Sequence, residues 1–339
     1  MRQHTLNPQL AAAALLIMLT LLAAPARSTA APPDSPWGAS YFPNVPLVTQ
    51  DGQTVRFYDD LLKGKAVVVN LIYTNCKDSC PLETAKLVQV QKLLGGRVGQ
   101  DIFFYSISID PKHDTPAVLK AYAQKFGVGP GWLFLTGTKA DITRIGDKLG
   151  LTSLTDVDNA DGHQASLMIG NEATGQWMRN SAVDNPKFLA VTIENFLGPG
   201  QARHATQTYA AAPQLPPLEG GEYLFRTGCA ACHTVGKGDG VGPDLHYVTT
   251  HRDRAWLARF IATPDQVLAE KDPLALALFA QYKQVQMPNQ RLSQADVTAL
   301  LGYLETQSAA RLRPPGAPGP APAAGVSDGI GVPGHVHPH

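Results

Sequence analysis

The spacing of its cysteines constrains this chain more than any other feature. There are four cysteines, and they form two pairs of different kinds. Cys229 and Cys232 lie in Cys229-Ala-Ala-Cys232-His233, and C-x-x-C-H is the motif through which haem is attached covalently in c-type proteins. Cys76 and Cys80 lie in Cys76-Lys-Asp-Ser-Cys80-Pro81, directly after an apolar run that is typical of a buried strand. The cysteines therefore predict a haem-carrying module and a module with two thiols that can hold a metal ion or form a disulfide.

The charge balance excludes one class of partner. The chain has 339 residues, which is enough for two domains with separate cores. Its 28 basic and 28 acidic residues give a formal net charge of +0. Nucleic-acid binding would favour a basic face, so no nucleic-acid partner is expected.

The N-terminus predicts export. Arg2 and His4 precede the apolar stretch Leu10 to Ala24, and Ser28-Thr29-Ala30 offers a site for cleavage by signal peptidase. The stretch is shorter than the roughly 20 residues of a membrane-spanning helix. We therefore expect residues 1–30 to be a signal peptide and the protein to be periplasmic. The alternative is an uncleaved N-terminus that keeps the protein at the membrane surface.

Residues 31–198 predict an α/β domain, because apolar strand-like runs alternate with segments of helical periodicity. We expect a mixed sheet with flanking helices. The predicted strands are Ala66–Tyr73, Ile102–Ile109, Trp132–Leu135, Ser166–Ile169 and Gln176–Met178, and the predicted helices are Leu82–Leu94, Pro116–Phe126, Asp141–Leu149 and Pro186–Leu197.

The rest of the chain predicts a linker, a mostly α domain and a tail. Residues 199–219 are rich in Ala, Pro and Gln and lack periodicity, as linkers do. Residues 220–308 contain a helix that begins at an N-cap, Ser293, and carries one apolar stripe. Residues 309–339 are rich in Pro, Gly, Ala and His and are expected to be disordered. Metal binding by the terminal histidines is a weaker interpretation, because no fold holds their rings in place.

The axial ligands of the predicted haem follow from the motif and by elimination. His233 completes C-x-x-C-H as the proximal ligand, and a zinc site would need further closely spaced ligands that the chain lacks. Of five methionines only Met287 lies in the helical module, in an extended stretch before the capped helix. Met287 is therefore the expected distal ligand, with His246 or His251 as the competing assignment.

The helical module resembles the class I cytochrome c family over about residues 219–307. Besides C-x-x-C-H and Met287, the resemblance rests on Gly242-Pro243-Asp244-Leu245. It implies that the Pro243 carbonyl accepts a hydrogen bond from His233, which orients the imidazole ring. Histidine–methionine ligation raises the reduction potential and fills the sixth site, so it favours electron transfer.

The spacing of the second cysteine pair leaves two chemistries open. On a helical turn, residues i and i+4 are neighbours, so Cys76 and Cys80 suit a disulfide or one soft metal ion. The helix N-terminus is expected to favour the thiolate form. Copper(I) would need a third ligand, and the histidines of this module are His113 and His163. His113 lies in a charged loop and is expected to be solvated, whereas His163 precedes a predicted strand.

Residues 37–197 resemble the Sco/SenC family of thioredoxin-fold copper chaperones. The matching stretches are Tyr73-Thr74-Asn75-Cys76-x-x-x-Cys80-Pro81, Ser106-Ile107-Ser108-Ile109-Asp110-Pro111 leading to Asp114-Thr115-Pro116, and the histidine before Ser166-Leu167-Met168-Ile169. The resemblance implies a thioredoxin-like domain in which Cys76, Cys80 and His163 bind copper. It also implies a role in assembling the copper centre of haem-copper oxidases, by copper delivery or thiol reduction. The implied partners are the copper-centre subunit and a thiol reductant or redox protein.

Two departures from the family pattern affect the predicted copper site. Lys77 stands where the family usually has Pro, and Gly162 stands where it usually has Asp before the histidine. A lysine beside the thiols suits redox chemistry as well as metal binding, and Gly162 loosens the loop that carries His163.

Three functions therefore stay open at this point. The first is an exported copper chaperone whose haem moves electrons to or from the thiols or the copper. The second is a thiol–disulfide oxidoreductase that has a haem redox partner and no copper role. The third is an electron-transfer protein whose thiol module serves only for docking.

Overall fold

The computed structural model describes residues 36–76, 79–152, 165–197 and 219–312. The predicted signal peptide, the predicted linker up to residue 218 and the chain after Leu312 lie outside the described residues. Two modules are present, an α/β module up to residue 197 and a helical module from residue 219.

The α/β module is built on a seven-stranded mixed sheet with the order β2-β1-β5-β4-β3-β6-β7. Strands β3, β4 and β5 are parallel, and the other neighbouring pairs are antiparallel. The strands are β1 (Pro46–Thr49), β2 (Thr54–Arg56), β3 (Ala66–Ile72), β4 (Ile102–Ser108), β5 (Trp132–Thr136), β6 (Ser166–Asn171) and β7 (Gln176–Ser181). Every residue of β3 is buried, as expected for a parallel strand that is covered on both faces.

Four α-helices cover the two faces of this sheet. They are α1 (Ser79–Leu94), α2 (Pro116–Phe126), α3 (Lys139–Leu149) and α4 (Pro186–Leu197). Helices α1, α2 and α4 contribute to the apolar core on one face. Helix α3 packs on the other face together with a π-helical turn, Phe57–Leu62. The sheet is therefore the middle layer of a three-layer α/β domain.

The predicted strands and helices of this module are confirmed, with small differences at their ends. Helix α2 has the predicted bounds, and the Thr115 side chain accepts a hydrogen bond from the Val118 amide as its N-cap. Helix α1 begins at Ser79, three residues before the predicted start. Pro81 consequently lies in its first turn, where a missing N–H removes no helical hydrogen bond.

The helical module contains six short or medium helices around its own apolar core. They are α5 (Gly220–Leu224), which continues as a π-helical turn over Phe225–Cys229, then α6 (Val248–His251), α7 (Arg254–Ala262), α8 (Pro264–Ala269), α9 (Pro273–Gln281) and α10 (Gln294–Leu312). The predicted cap of α10 is confirmed, because the Asp296 amide donates to Ser293 Oγ and the Ser293 amide donates to Asp296 Oδ2. The stripe on α10 that forms the core consists of Val297, Leu300, Leu301 and Leu304.

Helix α10 also corrects the boundary of the predicted tail. We expected disorder from residue 309, but the helix extends to Leu312. Alanines at 309 and 310 are strong helix formers, so the helix continues past the end of its apolar stripe. None of the helices within the described ranges is long and apolar enough to cross a membrane.

Candidate haem cleft and thiol pair

The two thiols of the α/β module lie where β3 gives way to α1. Cys76 precedes the helix and Cys80 lies in its first turn. The Cys80 amide donates a hydrogen bond to Cys76 Sγ at 3.5 Å. Cys76 is 6% exposed and Cys80 is 0% exposed. The pair is thus a buried dithiol held by the start of a helix.

A buried carboxylate holds the loop before Cys76. Asp114 is 0% exposed and accepts hydrogen bonds from the Thr74 amide at 3.1 Å and from Thr74 Oγ1 at 2.5 Å. Ser108 Oγ at the end of β4 donates to the same carboxylate at 2.5 Å. A buried polar side chain needs hydrogen-bond partners, and Asp114 finds them on two separate segments. Asp114 therefore joins the Cys76 loop to the neighbouring strand.

Burial overturns the expectation that the helix N-terminus makes Cys80 a thiolate. Desolvation raises the pKa of Cys80 well above its usual value, and the hydrogen bond to Cys76 and the nearby Glu83 carboxyl act in the same direction. Removing a thiolate from water costs more than the partial charge of a helix end returns. Burial therefore favours the protonated form of the Cys80 thiol.

Glu83 is a buried acid that the sequence interpretation missed. It lies on α1 one turn after Cys80 and is 0% exposed. Asn70 Nδ2 on β3 donates to Glu83 Oε2 at 3.4 Å. Burial raises the pKa of Glu83 to about 8, although hydrogen bonds from Ser79 and Asn70 act in the opposite direction. The carboxyl is therefore mostly protonated at neutral pH, so it adds little negative charge beside the thiols.

The predicted third copper ligand, His163, lies outside the described residues. Strand β6 begins at Ser166 and pairs with β3 in the register Asn70 to Leu167. Strand β6 thus begins near the end of β3 from which the Cys76 loop leaves. Copper ligation by His163 remains a prediction.

His113 lies where the sequence interpretation expected it. Its side chain is 66% exposed, and its Nδ1 contacts Asp110 Oδ2 at 2.8 Å. Within the described part of the chain, no three His, Cys, Asp or Glu side chains are grouped closely enough to hold a metal ion.

The residues predicted to hold haem line one cleft of the helical module. Cys229, Cys232, His233 and Met287 border one cleft. Cys229, His233 and Met287 also border an adjoining cleft, together with His246 and His251. The structure thus brings together all four predicted haem residues. It also leaves His246 and His251 beside them, so Met287 as distal ligand stays a prediction.

The proximal histidine is oriented as the resemblance implies. His233 Nδ1 donates to the Pro243 carbonyl at 2.9 Å, which leaves Nε2 for an iron atom. Burial lowers the pKa of His233, with the Pro243 hydrogen bond acting in the opposite direction. A neutral imidazole is the form that binds metals. A Cβ atom on Gly242 would lie 2.6 Å from His233 Cε1, so only glycine fits beside the ring.

These features fit a covalently bound haem. The cleft offers two thiols for the thioether bonds, an oriented imidazole and a thioether side chain. The buried Nε2 atom of His246 has no hydrogen-bond partner among the described residues, and this side chain borders the adjoining cleft. A polar group of a bound haem would satisfy it, since buried polar atoms are nearly always paired.

One wall of the haem cleft comes from the α/β module, which the sequence interpretation did not expect. Pro81 and Leu82, the two residues after Cys80, line the cleft beside Cys229, Cys232 and His233. The sequence contains one indirect signal for this contact. Apolar residues occur on both faces of α1, whereas a helix that packs only on its sheet has a single apolar stripe.

Comparison with known proteins agrees with the division into two modules. Residues 39–195 match the SCO1/SenC family model, and residues 218–308 match the cytochrome c family model. An SCO2-like protein from Rickettsia felis is 36% identical over 102 residues, which cover 30% of this chain and 47% of that protein. The match therefore spans less than half of the length of that relative.

Solved structures are similar to each module separately. The copper-bound ScoI of Bradyrhizobium japonicum is 26% identical, with a TM-score of 0.37 and coverage of 46% of this chain and 99% of that one. The cytochrome c domain of the pp3183 protein from Pseudomonas putida is 55% identical, with a TM-score of 0.25 and coverage of 26% and 88%.

Proposed function

Because the chain joins a SCO1/SenC domain to a cytochrome c domain, we propose that it is an exported copper-binding protein that also carries a c-type haem. The observation that carries the proposal is the buried dithiol at the start of α1, where Cys80 N and Cys76 Sγ lie 3.5 Å apart. Two cysteine sulfurs four residues apart at a helix start suit one soft ion, and copper(I) is the soft ion that this family match favours.

Copper is the cargo of the proposed reaction. Cys76 and Cys80 supply two thiolates, and His163 supplies an imidazole as third ligand. Because burial keeps the Cys80 thiol protonated, binding copper(I) releases a proton from it. Transfer to an acceptor proceeds by exchange of one ligand at a time. The proposed acceptor is the copper-centre subunit of a haem-copper oxidase.

Cys229 and Cys232 would hold the haem through thioether bonds, with His233 and Met287 as axial ligands. A c-type haem supplies one-electron transfer when it is bound there. The Pro243 carbonyl orients the His233 ring, and Gly242 leaves room for it. A covalent c-type haem and the N-terminal sequence both support a periplasmic location, with the alternative of an uncleaved anchor at the membrane.

The test is metal analysis and optical spectroscopy of the exported protein, with and without a thiol reductant. We expect one haem and, after reduction and addition of copper(I), one copper per chain. His163→Ala should weaken copper(I) binding by at least about tenfold. His113→Ala is the matched control, because His113 is exposed and paired with Asp110. Unchanged copper affinity in His163→Ala would refute the proposed ligand set.

The same dithiol supports a second candidate function, thiol–disulfide exchange. The observation that favours it is the hydrogen bond between the two thiols, which places them close enough to be joined. The Cys76–Cys80 dithiol would be oxidised to a disulfide while a partner disulfide is reduced to two thiols. If His163→Ala still reduces a partner disulfide but no longer binds copper, then thiol–disulfide exchange does not depend on the copper site.

A further inference from the structure

Two residues on one face of α1, Leu82 and Gln89, face the helical module, and Lys86 lies between them. Leu82, Lys86 and Gln89 have the spacing i, i+4, i+7, which places them on one side of a helix. The residues that pack into the sheet core, Leu87, Val90 and Leu94, lie on another side. Helix α1 is therefore covered from two directions, by its own sheet and by the haem cleft.

Gln89 makes the most specific of these contacts. Its side-chain amide donates to the carbonyls of Ala230 at 3.0 Å and Ala231 at 3.3 Å. These two residues separate the cysteines of the C-x-x-C-H motif. Both carbonyls face one amide donor, so the Gln89 side chain fixes how the haem motif sits on α1.

Leu82 extends the contact toward the thiol pair, and Lys86 lies one turn further along α1. Lys86 is only 5% exposed, and its ammonium group donates to the Val183 carbonyl of its own module. Leu82 is 8% exposed and borders the haem cleft with Pro81. The residues directly after Cys80 are thus part of the wall of the haem cleft.

We propose that this face of α1 is a docking surface for the haem module of the same chain and that it couples the state of the Cys76–Cys80 pair to the haem. The occupant is the C-x-x-C-H segment, Cys229 to His233. The proposal rests on the haem and thiol assignments proposed above, and it does not require delivery of copper to any acceptor.

The coupling has a structural basis. The first turn of α1 contains Cys80 of the thiol pair, and its residues Pro81 and Leu82 also line the haem cleft. A disulfide requires its own narrow range of Cα and Cβ separations, and two thiolates on one ion require another. Either change moves the turn that carries Cys80, and Pro81 and Leu82 move with it. The potential of a c-type haem depends on the exposure and polarity of its pocket. Coupling of this kind is reciprocal, so the oxidation state of the haem also changes the dithiol–disulfide equilibrium of Cys76 and Cys80.

Docking is tested first, by NMR of the full-length protein with haem attached. The Gln89 side-chain amide signals are identified by their loss in Gln89→Ala. We expect them to shift when the haem is changed from the ferrous to the paramagnetic ferric state, because this side chain contacts the haem motif. Signals that are identical in both haem states would overturn the proposed docking surface.

Coupling is tested next, by equilibrating the same protein with a redox reference protein of known potential. We expect the electron-exchange equilibrium constant of the haem to differ by about fivefold or more between the dithiol and disulfide forms. Gln89→Ala and Leu82→Asp should both reduce this difference. Val118→Asp on α2 is the matched control, because Val118 is an apolar helix residue that is 39% exposed and lies outside this face.

The possible outcomes distinguish a failure of the proposed function from a failure of the proposed coupling. Absence of covalent haem in the purified protein would refute the haem part of the proposed function. Bound haem with the same equilibrium constant in the dithiol and disulfide forms would refute the coupling alone. The mild Gln89→Ala variant keeps the test valid if Leu82→Asp does not fold.

Discussion

Glu83 makes the stability of the α/β module depend on pH in a direction opposite to that of most carboxylates. Burial raises its pKa to about 8 in the folded protein, from an ordinary value of 4.5. The folded state therefore holds one proton more than the unfolded state between these two values. The stabilising contribution of the protonated carboxyl is complete below the unfolded pKa and is lost as the pH rises toward 8.

The size of the effect follows from the proton difference. One extra proton in the folded state lowers the free energy of unfolding by about 1.4 kcal/mol per pH unit. Between pH 5 and pH 7 the loss amounts to about 3 kcal/mol. Glu83→Gln replaces the acid with a neutral side chain of the same shape, so it removes this term. The free energy of unfolding of the variant, minus that of the unchanged protein, should rise by about 3 kcal/mol from pH 5 to pH 7.

The assay is urea unfolding at pH 5, 6 and 7 of the metal-free, thiol-reduced protein with its haem. The intensities of the folded amide resonances of β3 and β4 report the α/β module separately from the helical module. Glu194→Gln on α4 is the control for loss of a carboxylate, because Glu194 is 46% exposed. Parallel pH profiles for the unchanged protein and Glu83→Gln would refute the argument that Glu83 is buried as the neutral acid.

Two glycines of the helical module lead to further predictions. A Cβ atom on Gly221 would lie 2.1 Å from the Ala299 carbonyl oxygen, so Gly221→Ala should separate α5 from α10 and lower the urea stability of this module by about 1–3 kcal/mol. Its neighbour Gly220 has open space around it, so Gly220→Ala should be neutral or slightly stabilising, and equal effects of the two changes would contradict the contact. Gly242→Ala should displace the His233 ring and change the axial-ligand bands of the visible spectrum, whereas an unaltered spectrum would contradict the predicted proximal ligand.

The sequence was sufficient for those features that depend on local patterns. The buried strand β3 was recognisable because both of its faces are apolar, and α2 was recognisable from Thr115 and Pro116 at its start. The C-x-x-C-H motif and the stripe of α10 likewise identified the helical module without its coordinates. In these segments, local preference and tertiary environment agree.

The sequence was not sufficient where burial depends on distant segments. The thiolate character of Cys80 was predicted from its place at a helix start, but the helices and strands around it bury it completely. Glu83 is a charged residue type, and nothing in its neighbours predicts that Asn70 on β3 will contact it. The docking of Gln89 on Ala230 joins residues that are 141 positions apart. The first two features depend on the packing of α1 against the sheet, and the third arises only when the two modules lie together.

The contact between the modules combines one polar anchor with apolar packing. The Gln89 side-chain amide donates to the carbonyls of Ala230 and Ala231. The helical-module residues that pack against the apolar core to which α1 belongs are Ala231, Cys232, Val241 and Val285. The haem module covers the turn that carries Cys80 while it is docked. A partner that receives copper or electrons at the thiol pair must therefore approach from the uncovered side, or bind after Gln89 has released the haem motif.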